Sequence, residues 1–140
     1  MPPSDTEHPN LLRENMPGPR LAVLAEALFL ANLMILPGVA FLAIALLRHR
    51  HRNHPSPIVR NHLEQALFAS LWGGAILIGV PLAGFLIGDV KDPTTWVVTI
   101  LFFVCFHASL IIGGVIGLNR AILRKPWRFP VLGPDREHHG

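Results

Sequence analysis

The side chains best able to do chemistry in this sequence lie inside or at the edges of long apolar stretches. They are Glu26, Asn32, His62, Glu64, Gln65, Cys105 and His107. Polar groups are costly inside a membrane, and by default they indicate ion paths, proton relays or ligand sites. A carboxylate offers a proton or cation site, and a histidine offers a proton relay or a haem or metal ligand. Their positions along the chain decide which of these uses stays open.

His107 and His62 are the two candidates for binding a cofactor. His107 lies in the middle of one apolar stretch and His62 at the start of another. At about 1.5 Å per helical residue their depths differ by roughly 16 Å, which is too much for one haem held by both. A haem or quinone shared with another subunit stays open. Cys105 is the one cysteine, which excludes an internal disulfide and a cysteine metal cluster. The sequence thus predicts no metal and no cofactor.

The remaining intramembrane polar residues favour helix packing. Asn32 and His107 each lie about twelve residues from the same membrane face, so we expect them to form a hydrogen bond between helices. Glu26, near the outer end of its stretch, is interpreted as an interfacial carboxylate that reaches water, with a proton or cation site as the alternative. Small residues recur every four positions and predict close helix contact: Cys105, Ser109, Gly113 and Gly117. His107 points about 140° away from this stripe, so the two faces predict separate contacts.

Three long apolar stretches carry these residues. The chain has 140 residues, of which 51% are hydrophobic and 15% charged, against about a quarter charged in soluble domains. This predicts an all-α integral membrane protein with three transmembrane helices, over residues 21–47, 61–87 and 95–118, which together form a domain over 21–118. Residues 1–20 are rich in proline and predict a disordered or loosely docked tail. Residues 119–140 predict a basic cytoplasmic tail.

The distribution of Lys and Arg predicts the orientation. Nine of them lie in the loop after the first stretch and in the C-terminal tail, against three elsewhere. The positive-inside rule then puts the N-terminus outside and the C-terminus in the cytoplasm. A re-entrant first stretch that reverses at Pro37 is the alternative. The residues predicted for the cytoplasmic interface are Arg48, Arg50, Arg52, Arg60, Arg124, Lys125, Trp127 and Arg128. We interpret the net charge of +3 as an indication of contact with the lipid bilayer and not of binding to nucleic acid.

Three local patterns resemble a known family. They are Ile35-Leu36-Pro37-Gly38 before a basic loop, Ser56-Pro57 followed by His62 and Ala66-Leu67, and Trp127-Arg128-Phe129-Pro130 after the last apolar stretch. They are similar to a family of small bacterial membrane proteins of unknown function, distantly related to a component of the chloroplast inner-envelope import translocon. The resemblance covers about residues 33–132 and implies a membrane fold and location, not an activity. It departs after Leu67, where Phe68-Ala69-Ser70 replaces the family's usual Asn-Phe-Gln.

No catalytic signature, phosphate loop or dinucleotide motif is found, so the sequence predicts no enzyme. The hypothesis is a non-catalytic accessory or scaffold subunit of a larger complex in the bacterial inner membrane, a multi-pass protein with other membrane subunits or further copies of itself as partners. One alternative is a pore or transport component, which the translocon resemblance suggests. The other is a subunit of a redox complex that contributes His107 or His62.

Overall fold

The computed structural model describes residues 18–130 of the chain. Its regular elements over this range are all helices, as the all-α class predicts: α1 Gly18–Met34, α2 Val39–Arg50, α3 Pro57–Ile87 and α4 Pro93–Ile122. Proline is the first residue of both α3 and α4, a position where the missing N–H costs nothing and the fixed φ suits a helix. Residues 123–130 follow α4 without regular structure and pack back onto the helices; we call them the C-terminal strap.

Helices α3 and α4 form an antiparallel pair, and each is long and apolar enough to cross a membrane. They have 31 and 30 residues, or about 45 Å at 1.5 Å per residue, which exceeds a bilayer core of about 30 Å. Their backbones approach closely near the connecting turn, where a Cβ added to Gly88 would lie 2.9 Å from the Thr95 hydroxyl. Length and apolar composition therefore suit both helices to a membrane.

The prediction of three transmembrane helices needs correction at the first apolar stretch. The stretch predicted as one span over 21–47 is divided into α1 and α2, of 17 and 12 residues. Pro37 has no N–H to continue the helix, and Gly38 adopts φ 87°, a left-handed conformation that glycine tolerates best. The chain reverses there instead of bending slightly, and α1 and α2 pack against each other.

The α1–α2 hairpin covers only half the length of the α3–α4 pair. Glu26 in the middle of α1 contacts His62 in the second turn of α3, and Arg48 near the end of α2 pairs with Glu64. Both arms of the hairpin thus approach the end where α3 begins. The buried residues of α3 lie between positions 59 and 73, and those of α4 between 110 and 121. The described ends of the chain consequently lie at one end of the bundle, whereas the predicted orientation put them on opposite sides.

The core sits between the hairpin, the covered half of the α3–α4 pair and the strap. Its fully buried side chains include Phe29 from α1, Ile44 from α2 and Leu63 from α3, and Phe129 of the strap belongs to the same cluster. The uncovered halves of α3 and α4 expose their apolar side chains. In a membrane, those uncovered halves face hydrocarbon, which suits them.

Candidate functional site: a buried Glu–His pair beneath the C-terminal strap

A buried pair of ionisable side chains joins α1, α3 and the strap. Nδ1 of His62 lies 2.6 Å from Oε1 of Glu26, and Nε2 of the same ring lies 2.8 Å from the backbone oxygen of Lys125. The exposed fractions of Glu26 and His62 are 1% and 0%. Helix α1 supplies the carboxyl group, α3 the imidazole and the strap the second acceptor, so the pair fixes three segments relative to one another.

The geometry determines how many protons the pair holds. A carbonyl oxygen only accepts, so Nε2 of His62 carries a hydrogen and donates it to Lys125. One further proton lies between Nδ1 and the Glu26 carboxyl group. It resides on Nδ1 beside a carboxylate or on the carboxyl group beside a neutral ring, and both arrangements have no net charge. Removing it would place a lone pair against a carboxylate in a buried site, which is strongly unfavourable.

Side chains of α3 bind the backbone of the strap at alternate residues. The N–H of Trp127 donates to Oδ1 of Asn61 at 2.8 Å, and the N–H of Phe129 donates to Oε1 of Gln65 at 2.8 Å. Asn61 and Gln65 are four residues apart and therefore lie on one face of α3. These bonds satisfy strap N–H groups that have no partner in a helix or sheet, which allows an irregular segment to pack against a membrane helix.

Aromatic rings close the site from the strap side. The Phe129 ring is buried and meets the Phe29 ring of α1 edge-on, with centroids 5.3 Å apart and planes at 68°. The Trp127 ring meets Phe129 edge-on, with centroids 6.1 Å apart. Such edge-to-face contacts add about 0.5–1.5 kcal/mol beyond area burial. The aromatic residues therefore hold the strap in the core.

Gly113 and Gly117, predicted as helix-packing residues, form the floor of this site. A Cβ added to Gly117 would lie 2.6 Å from Oε2 of Glu26 and 3.0 Å from Cδ1 of Trp127, and one added to Gly113 would meet the Phe129 ring. Oε2 of Glu26 and Nε1 of Trp127 are buried and have no hydrogen-bond partner among the described residues. Both atoms thus belong to side chains that pack against Gly117.

The other residues of the predicted stripe lie away from the site. Cys105 is exposed, and Ser109 donates its hydroxyl to the backbone oxygen of Cys105 at 2.8 Å. Both side chains are exposed. The stripe therefore divides into two glycines that meet the strap and α1, and two small polar residues that face outward.

The hydrogen bond expected between Asn32 and His107 is not formed. Oδ1 of Asn32 accepts the N–H of Gly38 at 3.0 Å, and it thereby satisfies a backbone group at the reversal between α1 and α2. His107 stacks on Phe103 of its own helix, with centroids 5.6 Å apart, and its buried Nδ1 has no partner among the described residues. Asn32 serves the local turn because the reversal leaves that N–H without a helical acceptor.

The residues predicted for the basic interface lie at the same end of the bundle as the buried pair. Arg48 lies 3.8 Å from Glu64, and Arg50 and Arg52 are exposed at the end of α2 and in the following loop. Arg60 is half-buried in the first turn of α3. Strap residues Arg124, Lys125 and Arg128 are exposed, while Trp127 is half-buried.

Comparison with known families shows which protein family the chain belongs to. Residues 19–134 match the sequence model of the magnetosome magnetite crystal formation proteins, also called the MamF/MmsF family. The chain belongs to this family. The match includes α2, α3, α4, the strap and nearly all of α1. Searches of curated proteins and of solved structures give no match. The MamF/MmsF assignment confirms the resemblance to a family of small bacterial membrane proteins, and the distant relation to a translocon component stays a prediction.

The Glu26–His62 pair of this MamF/MmsF protein was not predicted from sequence. Glu26 was interpreted as reaching water, but it is fully buried. A continuous first span would have put it on the opposite side of the membrane from His62. The signal that relates them is the reversal at Pro37-Gly38, which returns α2 to the side where α1 starts. By contrast, the family patterns did draw attention to His62 and to the Trp127-Arg128-Phe129-Pro130 segment.

The Glu26–His62 pair is suited to stabilising the fold and not to binding a cofactor. Both ring nitrogens of His62 are engaged within the chain, and an iron ligand needs one of them free. No group of three or more His, Cys, Asp or Glu side chains over residues 18–130 is arranged to hold a metal ion. Nδ1 of His107 has no partner among the described residues, but His107 belongs to no such group. The chemistry available at the site is thus the retention of one proton and the docking of the strap.

Proposed function

We propose that this MamF/MmsF protein is a non-catalytic accessory protein of magnetite crystal formation, acting from the membrane that surrounds the crystal. The family match over residues 19–134 carries this proposal, because it includes nearly all of the described fold. The two apolar helices support a membrane location. The family's description names the formation of a crystal and no chemical reaction.

The buried pair supports a structural role. A glutamate beside a histidine resembles a catalytic acid–base pair, but such a pair must come within hydrogen-bond reach of a substrate. Glu26 and His62 are closed off by Gly117 of α4 and by the strap. In this proposal their role is to fix the strap to α1 and α3, and the exposed surfaces carry the interactions.

We further propose a multi-pass location in the bacterial inner membrane or a membrane derived from it, with both described ends in the cytoplasm. Nine of the ten described Lys and Arg residues lie toward the end of the bundle where α3 begins, and Lys91 alone lies at the other. The positive-inside rule assigns the first end to the cytoplasm. In this proposal, the α1–α2 hairpin lies in the cytoplasmic half of the bilayer.

Cysteine labelling from either side of the membrane tests this orientation. In a chain with Cys105→Ser, single cysteines replace Arg20, Ser56 or Lys91, and a membrane-impermeant maleimide is applied to intact and to permeabilised vesicles of the crystal-bearing membrane, whose outer surface is the cytoplasmic face in this proposal. We expect positions 20 and 56 to react on intact vesicles, and position 91 to react only after permeabilisation. If positions 20 and 91 react from the same side, the first apolar stretch crosses the membrane and the proposal fails.

In this proposal, the protein has partners within the membrane, either other subunits or further copies of this chain, and the uncovered halves of α3 and α4 are the surfaces that they contact. Exposed apolar side chains such as Ile78, Leu86 and Val97 lie there without intramolecular contacts to cover them. Native mass spectrometry of protein extracted gently from its own membrane separates the outcomes. A fixed stoichiometry with other chains or copies is expected, and a monomer alone would contradict it.

Deletion of the gene from its own host tests the proposed function. We expect electron microscopy of the deletion strain to show magnetite crystals altered in size, shape or number, and expression of the intact chain from a plasmid to restore them. A variant with Phe129→Ala, which loosens the strap, should restore them less well. A host that forms no magnetite, or crystals unaffected by the deletion, would refute the proposal.

A further inference from the structure

A basic cleft lies between the end of α2 and the start of α3, apart from the buried pair. It is lined by Arg48, His51, Arg52, Arg60 and Glu64. Arg48 and Glu64 pair at 3.8 Å and keep side-chain exposures of 33% and 18%. Three arginines against one glutamate leave a formal charge of +2 with His51 neutral. The cleft is therefore suited to an anion.

Two of the arginines in the cleft have unused hydrogen-bonding capacity. The guanidinium groups of Arg52 and Arg60 make no hydrogen bond or ion pair with any described residue. A guanidinium group presents several N–H donors in a planar fork that matches the oxygens of a phosphate. Two such groups beside a third arginine provide more donors than Glu64 can satisfy.

The loop that carries part of the cleft is ordered by its own hydrogen bonds. The N–H of His54 donates to the backbone oxygen of His51 at 3.0 Å, and the N–H of Ser56 donates to Nδ1 of His54 at 3.1 Å. Nδ1 of His51 lies 3.0 Å from the backbone oxygen of Leu47 and donates to it. A loop fixed in this way loses less conformational entropy when a ligand binds.

The location of the cleft points to the source of the phosphate. Helices α2 and α3 emerge from the apolar part of the fold at this point, with Leu47 and Val59 on either side of the loop. Basic residues at the cytoplasmic end of membrane helices lie at the level of anionic headgroups. We propose that the cleft binds the phosphate group of an anionic phospholipid, with Arg52 and Arg60 as its principal donors.

Native mass spectrometry with defined lipids tests this proposal. The full chain, purified in detergent, is mixed with phosphatidylglycerol or with phosphatidylcholine, and the retained lipid is counted as the collision energy rises. We expect one phosphatidylglycerol to be retained and phosphatidylcholine to be lost. Arg60→Gln should weaken retention about five-fold, the effect of about 1 kcal/mol per basic residue at an anionic surface.

Arg50→Gln provides the matched control, because Arg50 is exposed in the same basic segment but does not line the cleft. We expect it to change retention less than two-fold. Equal losses from Arg50→Gln and Arg60→Gln would overturn the proposal and show only a diffuse attraction between a basic edge and anionic lipid.

A competition experiment on the full chain identifies the source of the phosphate group. Displacement of the lipid by an equal concentration of inorganic phosphate would show a site for the free ion and would overturn the lipid assignment.

Discussion

Replacing Glu26 by glutamine or by alanine separates the hydrogen bond of the buried pair from its charge. His62 must keep its hydrogen on Nε2 to donate to Lys125, so a neutral ring presents a lone pair at Nδ1. In Glu26→Gln, the side-chain amide can donate to that lone pair and both ring contacts survive. In Glu26→Ala, Nδ1 stays buried without a partner. The two variants should therefore differ in stability.

The burial of the pair sets the size of this difference. Breaking a buried pair by removing one partner costs about 3–5 kcal/mol in soluble proteins. Polar contacts between membrane helices are weaker, because the unfolded chain in a membrane also finds partners. We therefore expect Glu26→Ala to lower the free energy of unfolding by about 3 kcal/mol, the lower end of that range. Glu26→Gln should lower it by about 1 kcal/mol, the value of one net hydrogen bond.

Denaturant titration of the purified protein in micelles measures both values, and ¹⁵N NMR of the histidine ring reports the protons. We expect Glu26→Gln to show His62 as a neutral ring with hydrogen on Nε2 only. Glu64→Gln serves as the control, since the Glu64 side chain is partly exposed and lies 3.8 Å from Arg48. An exposed pair of this kind contributes about 0–1 kcal/mol.

Equal destabilisation by Glu26→Ala and Glu26→Gln would refute this reasoning, because it would show that the charge of the carboxylate and not the hydrogen bond to Nδ1 stabilises the site. A His62 ring with hydrogen on Nδ1 only would also refute it, since Lys125 would then face a lone pair at Nε2. Loss of folding in the Glu64→Gln control would show that the assay does not resolve the buried pair.

Three other substitutions and one control variant give expected outcomes in the same unfolding assay. Gly117→Ala should destabilise the protein by about 1–3 kcal/mol, because the added methyl group overpacks against the buried pair. Gly79→Ala is its control, since an added Cβ there meets nothing within 4 Å, and it should be neutral or stabilise by up to about 1 kcal/mol. Equal effects of the two variants would contradict the close packing at Gly117. Asn32→Leu should cost about 1–3 kcal/mol by leaving the Gly38 N–H unpaired, and an unchanged transition would contradict that role. Phe129→Ala should lower the free energy of unfolding by about 3–5 kcal/mol. It should also make the strap more sensitive to limited proteolysis, while circular dichroism shows the same helix content. A strap that stays protected from proteolysis in this variant would contradict the anchoring role of Phe129.

The helices of this protein were largely predictable from sequence, but the path of the chain between the first two was not. Apolar length predicts α3 and α4, and Pro57 and Pro93 mark where they begin. A Pro-Gly pair inside an apolar stretch, however, is compatible with a kinked helix and with a reversal. The outcome depends on the φ of Gly38 and on the acceptor that Asn32 supplies to it. Neither is visible as a periodic pattern.

The candidate site could also be predicted only in part from the sequence. The family resemblance drew attention to His62 and Phe129, and Gln65 was a candidate because it is a polar residue in an apolar stretch. Their partner Glu26 was missed, since assigning a partner requires knowing which side of the membrane each residue occupies. One error in the first apolar stretch moved Glu26 to the wrong side, and with it the main contact of the site.

The half-length hairpin explains why polar residues are tolerated along the start of α3. Asn61, His62 and Gln65 would face lipid if α3 and α4 stood alone, at a cost of several kcal/mol for each unpaired group. Helix α1 brings a carboxyl group to His62, and the strap brings N–H groups to Asn61 and Gln65. The strap in turn needs those acceptors, because its backbone has no helix or sheet of its own. Hairpin, α3 and strap therefore satisfy one another, and a chain that ended after α4 would leave the face of α3 incomplete.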